Sequence, residues 1–454
     1  MISKGEGLTA SERYLKALCE HSFLSLWSYT NIFRQPGNEL CDLLVIVGDD
    51  IIIFSDKQCQ FPSTDNLEIG WARWFRRAVH ESAKQLWGAE KWIRRYPDEV
   101  YTDNKCQNKF PTPIEINSQT RFHLVLVANG ASEACKKVNG GSGSLEINNE
   151  IQGVSSHTTP FVIGDLDSSK SFIHVLDETS LDIVLKNRDT ISDFTSYLIK
   201  RGKFLRSKLN IKSDGEEELL AQYLKLLNTD GERDFVIPEN ITDVYFERGI
   251  WRDFQKHPQR IAQIKEDEIS YLWDKLIEEF SKHAINGTQY YVSEGGFLDV
   301  EKALRFLARE NRFTRRVMAS ALSEIVLTTP SDRRMLRVIP MHHDNIYYVY
   351  LLFPYPNFKP RIDYDEYRKV RMSYLEAVCM VTRLIKPDAK FVIGIAMESG
   401  LNNSNSSEDL ICFDCSCWNR ELEEQAQRDQ VELNILVKPN RVERYSSEYP
   451  NINK

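Results

Sequence analysis

The chain has 454 residues, a hydrophobic fraction of 42% and a charged fraction of 27%, which is ordinary for a globular protein of two or three domains. Its formal net charge of -8 argues against a generally basic nucleic-acid coat protein, although a local basic channel stays open. The odd count of nine cysteines, five of them scattered, the absence of a bilayer-length apolar run and first residues that start no signal-peptide core predict a reduced, cytoplasmic protein that does not enter a membrane.

The first predicted element is a helix over residues 8–26, which Thr9 or Ser11 can cap. Its apolar positions recur at helical spacing and form one stripe. Glu12 lies within that stripe, which turns a carboxylate toward the core. We therefore expect Glu12 either to pair with a buried cation or to reach a polar site at the neighbouring sheet.

A possible strand at 27–33 precedes two short apolar strands, at 40–47 and 50–57, which a Gly-Asp-Asp turn joins into a hairpin. Acidic residues open the first strand of the hairpin, and Asp56 and Lys57 end the second. Such charges are costly to bury unless they pair or bind a metal ion. If the hairpin brings Asp42 near Asp56 and Lys57, these side chains form a small site that binds a cation and activates water.

Residues 71–95 form the next predicted helix, and 121–128 form another strand. One face of the helix is apolar, and much of the remainder is basic and suited to holding a phosphodiester backbone, with candidate contacts at Arg73, Arg76, Arg77 and Lys84. Gln85 of the same helix is a further polar residue that could reach the hairpin site. The order up to residue 128 is therefore helix, two or three strands, helix, strand.

This order, with its inward glutamate, its Asp42 and its Asp56-Lys57 pair, resembles the PD-(D/E)xK core of restriction endonucleases over residues 8–130. The resemblance implies Asp42 as the first metal ligand, Lys57 as the motif lysine and Glu12 as the inward helix glutamate. The motif acid should stand two residues before the lysine, where this chain has Ser55. Three alternatives follow: a bulge turns Asp56 round, another acid such as Glu39 or Glu12 substitutes, or the site is degenerate.

The resemblance implies a Mg²⁺- or Mn²⁺-dependent endonuclease that acts in restriction or antiviral defence, with Asp42, Asp56 and Glu12 as metal ligands and Lys57 as a further catalytic residue. DNA is favoured over RNA as the nucleic-acid partner, and a homodimer or an activating protein partner is a further possibility. The alternative is a catalytically degenerate nuclease-fold protein that binds nucleic acid or a partner protein.

The fold class expected from these patterns is α/β, with a restriction-endonuclease-like mixed sheet flanked by helices, then a helical region and a C-terminal α/β module. The expected boundaries are a nuclease-like domain at 1–135, a flexible Gly/Ser-rich loop or linker at 136–156, a mostly helical region at 157–330 and the α/β module at 331–454. A helix predicted at 298–325 places Arg305, Arg309, Arg312 and Arg316 on one face, where they would bind nucleic acid or an acidic partner.

Overall fold

A computed structural model describes residues 5, 7, 9–341, 345–355, 363–400 and 407–451. It confirms the expected α/β class, since helices surround three separate sheets in the described part of the chain. None of the described helices combines the length and the apolar character that crossing a bilayer requires.

The N-terminal part of the chain builds a five-stranded mixed sheet. Its strands are β1 (Ser28–Gln35), β2 (Asn38–Val47), β3 (Asp50–Gln58), β4 (Arg121–Asn129) and, later in the chain, β7 (Ile173–Leu176). The helices beside them are α1 (Ala10–Phe23), α2 (Leu67–Phe75) and α3 (Glu81–Arg95). The strands lie in the order β1-β2-β3-β4-β7. β1, β2 and β3 pair antiparallel, whereas β3, β4 and β7 run parallel.

Alternate residues of these strands face two different helical layers, as strand geometry requires. Ile52 and Phe54 of β3 face the core that contains α1. Ile51 and Ile53 face the core that contains α2 and α3. The buried face predicted for 71–95 is confirmed, and the helix itself is continuous from α2 to α3 through one π turn at Arg76–His80.

The flexible loop or linker predicted at 136–156 is wrong for most of this stretch. This stretch contains the end of α4 (Ser132–Asn139) and the strand β5 (Glu146–Gln152). β5 pairs with β6 (Val162–Asp165) and β8 (Asn210–Ser213), and β9 (Asp243–Phe246) completes a second sheet. The domain boundary at 135 is wrong for a related reason, since β7 joins the first sheet from beyond it. Gly/Ser-rich composition marks a turn here, and composition cannot distinguish a turn from a linker.

The middle region is mostly helical, as predicted. Its helices are α5 (Glu178–Asn187), α6 (Ile191–Leu205), α7 (Glu216–Lys225), α8 (Ile250–Lys256), α9 (Pro258–Asp267), α10 (Tyr271–Asn286), α11 (Phe297–Arg309) and α12 (Arg312–Thr328). The single helix predicted at 298–325 is therefore two helices. The first helix ends before Glu310, and Asn311 caps the second by accepting a hydrogen bond from Thr314 N at 2.8 Å.

The C-terminal module is a four-stranded sheet with helices, in agreement with the prediction. It contains β10 (Met335–Pro340), β11 (Ile346–Phe353), α13 (Tyr364–Ile385), β12 (Phe391–Glu398), β13 (Asp409–Asp414) and α14 (Arg420–Glu432), with the strands in the order β10-β11-β12-β13. One hydrophobic core extends from Leu15 of α1 to Ile395 of β12. The module thus packs onto the remainder of the protein.

Gly130, directly after β4, occupies a position that excludes a side chain. Its φ is +95°, and a Cβ atom there would lie 2.5 Å from the carbonyl oxygen of Cys59. We expect Gly130→Ala to lower the free energy of unfolding by about 1–3 kcal/mol, because the left-handed backbone and the clash both oppose the methyl group.

Gly88 is the matched control for this prediction, because it lies within α3 and an added Cβ would meet nothing within 4 Å. Gly88→Ala should leave the protein equally stable or stabilise it by up to about 1 kcal/mol through helix propensity. Urea unfolding followed by circular dichroism measures both. Equal effects of the two substitutions would contradict the assignment of a close backbone approach to Gly130.

Candidate functional site

Four carboxylates approach one another between α1 and the ends of β2 and β3: Glu12, Glu39, Asp42 and Asp56, here called the acidic cluster. The side-chain amide of Asn31 connects two of them, since its Nδ2 lies 3.3 Å from Glu12 Oε2 and 3.4 Å from Glu39 Oε1. Burial raises the pKa of Asp42 most, and the charges of Glu39, Asp56 and Glu12 raise it further. The predicted inward position of Glu12 therefore takes it to a polar site at the sheet, the second of the two alternatives.

The local backbone explains how Asp42 enters this cluster. The pairing of β2 with β3 runs from the turn to Leu43 and Phe54 and ends there. One residue further, Asp42 Oδ2 accepts a hydrogen bond from the backbone N–H of Asp56 at 2.6 Å. On the other side of β2, the register with β1 is irregular, and Asn31 adopts a positive φ of 54°. Strand irregularities of this kind re-aim side chains and are frequent next to functional sites.

Asp56 is held by a residue from the next strand. Its Oδ1 accepts a hydrogen bond from Asn129 Nδ2 at 2.6 Å, whereas its Oδ2 is buried and makes no hydrogen bond of good geometry among the described residues, although the Ser11 hydroxyl is close enough to the carboxylate to affect its pKa. Burial raises the pKa of the Asp56 carboxyl; Ser11 and Asn129 counteract this rise, and the charge of Glu12 adds to it. A buried oxygen that makes no such hydrogen bond is available to a cation or a proton.

The environment of Asp42 also favours a bound cation. Burial is the largest cause that raises its pKa to about 7; the backbone N–H of Asp56 opposes the rise, and the charges of its acidic neighbours increase it. Burial likewise raises the pKa of Glu39. Neighbouring carboxylates that resist ionisation are typical of functional sites and would be stabilised by a positive ion.

The donor set fits a hard cation such as Mg²⁺, which prefers oxygen ligands. Among the residues that the structure describes, no group of three or more histidine, cysteine, aspartate or glutamate side chains is arranged to hold a metal ion. Mg²⁺ is commonly bound by one or two carboxylates, with water and phosphate oxygens as the other ligands. Asp42 and Asp56 suit such a two-carboxylate site, and the role of Glu12 as a third ligand stays a prediction.

Lys57 does not share a strand face with Asp56. β3 pairs with β4 without interruption from Asp50 to Gln58, so the bulge that would turn Asp56 round is absent from this strand. Ser55 Oγ lies 3.3 Å from Gln85 Oε1 of α3, which places Ser55, and by alternation Lys57, on the α3 side. The predicted convergence of Lys57 with the carboxylates on one strand face is therefore wrong. Its amine is exposed and makes no ion pair in the described part of the chain.

A cleft of about 200 Å³ lies beside Asp56 at the carboxyl ends of the parallel strands β3 and β4. Side chains of α1, of the two strand ends and of α5 line it, including Ser11, Tyr14, Gln58, Asn129 and Glu178. Of these five residues, the sequence pointed only to Ser11, as a possible helix cap. The general preference of ligands for the carboxyl ends of parallel strands could have pointed to Gln58 and Asn129.

The basic side chains predicted on the helix at 71–95 lie at the protein surface. Arg73, Arg76 and Arg77 are exposed and form no salt bridge within the described residues, while Lys84 pairs with Glu81 at 3.0 Å. They belong to the α2–α3 layer, which covers the other side of the sheet from α1. These side chains therefore share a side of the sheet with Lys57 rather than with the acidic cluster.

The four arginines predicted to share one face do not do so. Arg305 pairs with Glu301 at 3.3 Å, and Arg309 Nη2 lies 3.6 Å from Asp49 Oδ2, at the β2–β3 turn. That turn is at the opposite end of β3 from Asp56. Both residues lie on α11, before the helix break, and their binding of nucleic acid stays a prediction.

Arg312 and Arg316, after the break, are buried, and the prediction that they bind nucleic acid is wrong. Arg312 pairs with Asp189 at 2.9 Å and with Asp274 at 2.7 Å, and Arg316 lies 3.2 Å from Asp267. A buried guanidinium needs such partners because an unpaired charge is costly inside a protein. These arginines hold helices of the middle region together.

No protein-family model, no curated protein and no solved structure matches this chain. The features of the molecule that bear on its function are therefore the acidic cluster, the cleft beside it, the exposed arginines of α2–α3 and Lys57.

Proposed function

We propose that this protein is a Mg²⁺-dependent hydrolase that cleaves phosphodiester bonds of DNA, with Mn²⁺ as an alternative ion. The observation that carries the proposal is the buried Oδ2 of Asp56, which makes no hydrogen bond of good geometry among the described residues. It lies next to the carboxyl of Asp42, whose pKa is raised to about 7. The order of elements from α1 to β4 supports it, because it follows the helix, three strands, helix and strand of the PD-(D/E)xK resemblance.

Each residue of the cluster has a role in this proposal. Asp42 and Asp56 hold the ion, and Asn129 fixes the orientation of Asp56 through its 2.6 Å hydrogen bond. Glu12 adds negative charge, which strengthens the attraction for the ion. When bound, the ion would polarise the phosphate and lower the pKa of a coordinated water.

Lys57 and the exposed arginines of α2–α3 supply positive charge to the DNA from the other side of the sheet. A free amine and free guanidinium groups bind phosphate oxygens well, and such binding weakens as the salt concentration rises. Because Lys57 lies on the opposite side of the sheet from Asp56, its proposed role is to bind DNA and not to orient the attacking water. The setting of restriction or antiviral defence, and assembly as a homodimer or with an activating partner, come from the resemblance and are proposed on that basis.

The first test of the proposal is a cleavage assay with Lys57→Ala. The wild type should cut fluorescently labelled DNA with Mg²⁺ and lose this activity in EDTA, and Lys57→Ala should raise the KM for DNA by roughly two- to fivefold with little change in kcat, because one charge that binds phosphate is lost. Lys438→Ala is the control, since Lys438 is an exposed lysine near the C-terminus. A lowered kcat for Lys57→Ala, or equal KM values for the wild type and both variants, would contradict this DNA-binding role.

A second candidate function is nucleic-acid or partner binding without cleavage. The observation that favours it is the position of Ser55 and Lys57 on the α3 side of the sheet, apart from Asp56. Under this alternative the wild type would be inert on DNA and RNA with either metal ion, yet would bind labelled DNA with an affinity that falls as salt increases.

A further inference from the structure

The cleft beside Asp56 has a size and a chemistry of its own. Its volume of about 200 Å³ is below the usual range for sites that bind drug-sized ligands. A cavity of about 150 Å³ accommodates one benzene ring, so this cleft has room for one small ring system.

The lining of the cleft does not suit a phosphate group. No lysine or arginine is among the ten residues that line it. Gln58 and Asn129 provide amide groups, Ser11 provides a hydroxyl, Tyr14 provides an aromatic ring, and Asp56 and Glu178 provide carboxylates. Amides, a hydroxyl and carboxylates beside an aromatic ring form the set of groups with which proteins bind an unstacked base through hydrogen bonds and stacking.

Hydrogen bonds within the protein fix side chains that line the cleft. The carboxylate of Glu178 accepts hydrogen bonds from Gly130 N at 3.1 Å and from Ser132 N at 3.4 Å. The hydroxyl of Tyr14 donates a hydrogen bond to Asp182. Because the tyrosine ring and the strand end are already fixed, binding there costs little ordering of side chains.

We propose, on the basis of the nuclease function proposed above, that the cleft binds one unpaired nucleobase next to the cleaved phosphodiester, so that the substrate is a single strand. The phosphate would lie at Asp42 and Asp56, and the adjoining base would enter the cleft that Asp56 borders. A Watson–Crick pair contains three rings and does not fit a space suited to one small ring system. The enzyme therefore acts on single-stranded DNA or on bases that have left the stack.

The test measures binding with Ca²⁺ in place of Mg²⁺, on probes that a gel shows to stay intact, by the fluorescence anisotropy of a labelled 20-mer of thymidylate and of a labelled blunt-ended duplex. We expect the single strand to bind at least about fivefold more tightly than the duplex, and Tyr14→Ala to weaken single-strand binding at least about fivefold, the size of a lost stacking contact. Tyr14→Phe, which keeps the ring, should bind as the wild type does. Tyr445→Ala is the matched control, since Tyr445 is an exposed tyrosine outside the cleft.

The inference and the proposed function can fail separately. Equal binding of the two probes, with no effect of Tyr14→Ala, would overturn the base-binding cleft even if the protein cleaves DNA with Mg²⁺. Single-strand binding that depends on the ring of Tyr14 would support the cleft even if no cleavage occurs with Mg²⁺ or Mn²⁺, and in that case the hydrolase proposal alone would be lost.

Discussion

Asp42→Asn is expected to abolish Mg²⁺-dependent DNA cleavage and to leave the fold intact. Asn keeps an oxygen that can accept the hydrogen bond from Asp56 N, so the end of the β2–β3 pairing should be preserved. It removes the negative charge, which is what binds the ion. Replacement of residues that merely support metal ligands costs about 10–100-fold, so loss of a direct ligand should reduce the rate by more than about 100-fold.

Stability distinguishes this loss of activity from unfolding. Glu12, Glu39 and Asp56 repel the charge of Asp42, so its removal should leave the thermal unfolding midpoint unchanged or raised. Asp230→Asn, at an exposed aspartate of the middle region, is the control and should alter neither activity nor stability. Cleavage by Asp42→Asn at the wild-type rate would exclude Asp42 as a ligand, and a lowered midpoint would show that the variant tests folding instead.

Arg315→Ala should produce the largest loss of stability that we predict. The side chain of Arg315 is 1% exposed, and its Nη1 lies 2.6 Å from Asp274 Oδ1. Its other nitrogens donate to the carbonyl oxygens of Ala308 at 2.6 Å and Glu310 at 2.8 Å, at the end of α11. Alanine would leave these two carbonyls without their donor and would leave Asp274 with Arg312 as its remaining cation. Breaking a buried pair of this kind costs about 3–5 kcal/mol.

An exposed arginine provides the comparison for this prediction. Arg441 pairs with Glu443 at 2.9 Å, but the two side chains are 87% and 58% exposed. Arg441→Ala should therefore change the free energy of unfolding by about 0–1 kcal/mol, as is typical of surface pairs. Urea denaturation at neutral pH measures both variants, and a loss below about 1 kcal/mol for Arg315→Ala would contradict a structural role for the buried network.

The elements with strong local patterns could be predicted closely from the sequence. The helix expected at 71–95 is observed within the continuous helical segment from Leu67 to Arg95, and the apolar hairpin strands are β2 and β3. Periods of 3.6 and 2 residues decide which side chains are buried, and neighbouring residues supply that signal. The helix over 298–325 failed because one residue, Asn311, caps a new helix inside a pattern that otherwise continues.

Less of the candidate site was predictable. The sequence pointed to Asp42, Asp56 and Glu12, because carboxylates at apolar strand ends and within an apolar helix stripe are unusual. It missed Asn129 and Tyr14, which are ordinary residues until the fold places them beside Asp56. Their importance depends on the parallel pairing of β3 with β4 and on the packing of α1, which are contacts between distant parts of the chain.

Local chemistry along the chain was thus enough to establish the strongly patterned helices and strands of the N-terminal part, the acidic strand ends and the basic surface of α2–α3. The folded structure alone decided that Lys57 and Asp56 face different sides of the sheet, that Arg312 and Arg316 are buried, and that a cleft lies beside the acidic cluster. The physical reason is that the period of a segment is a property of neighbouring residues. Strand pairing, helix breaks and the partners of buried charges depend on residues brought together from far apart in the sequence.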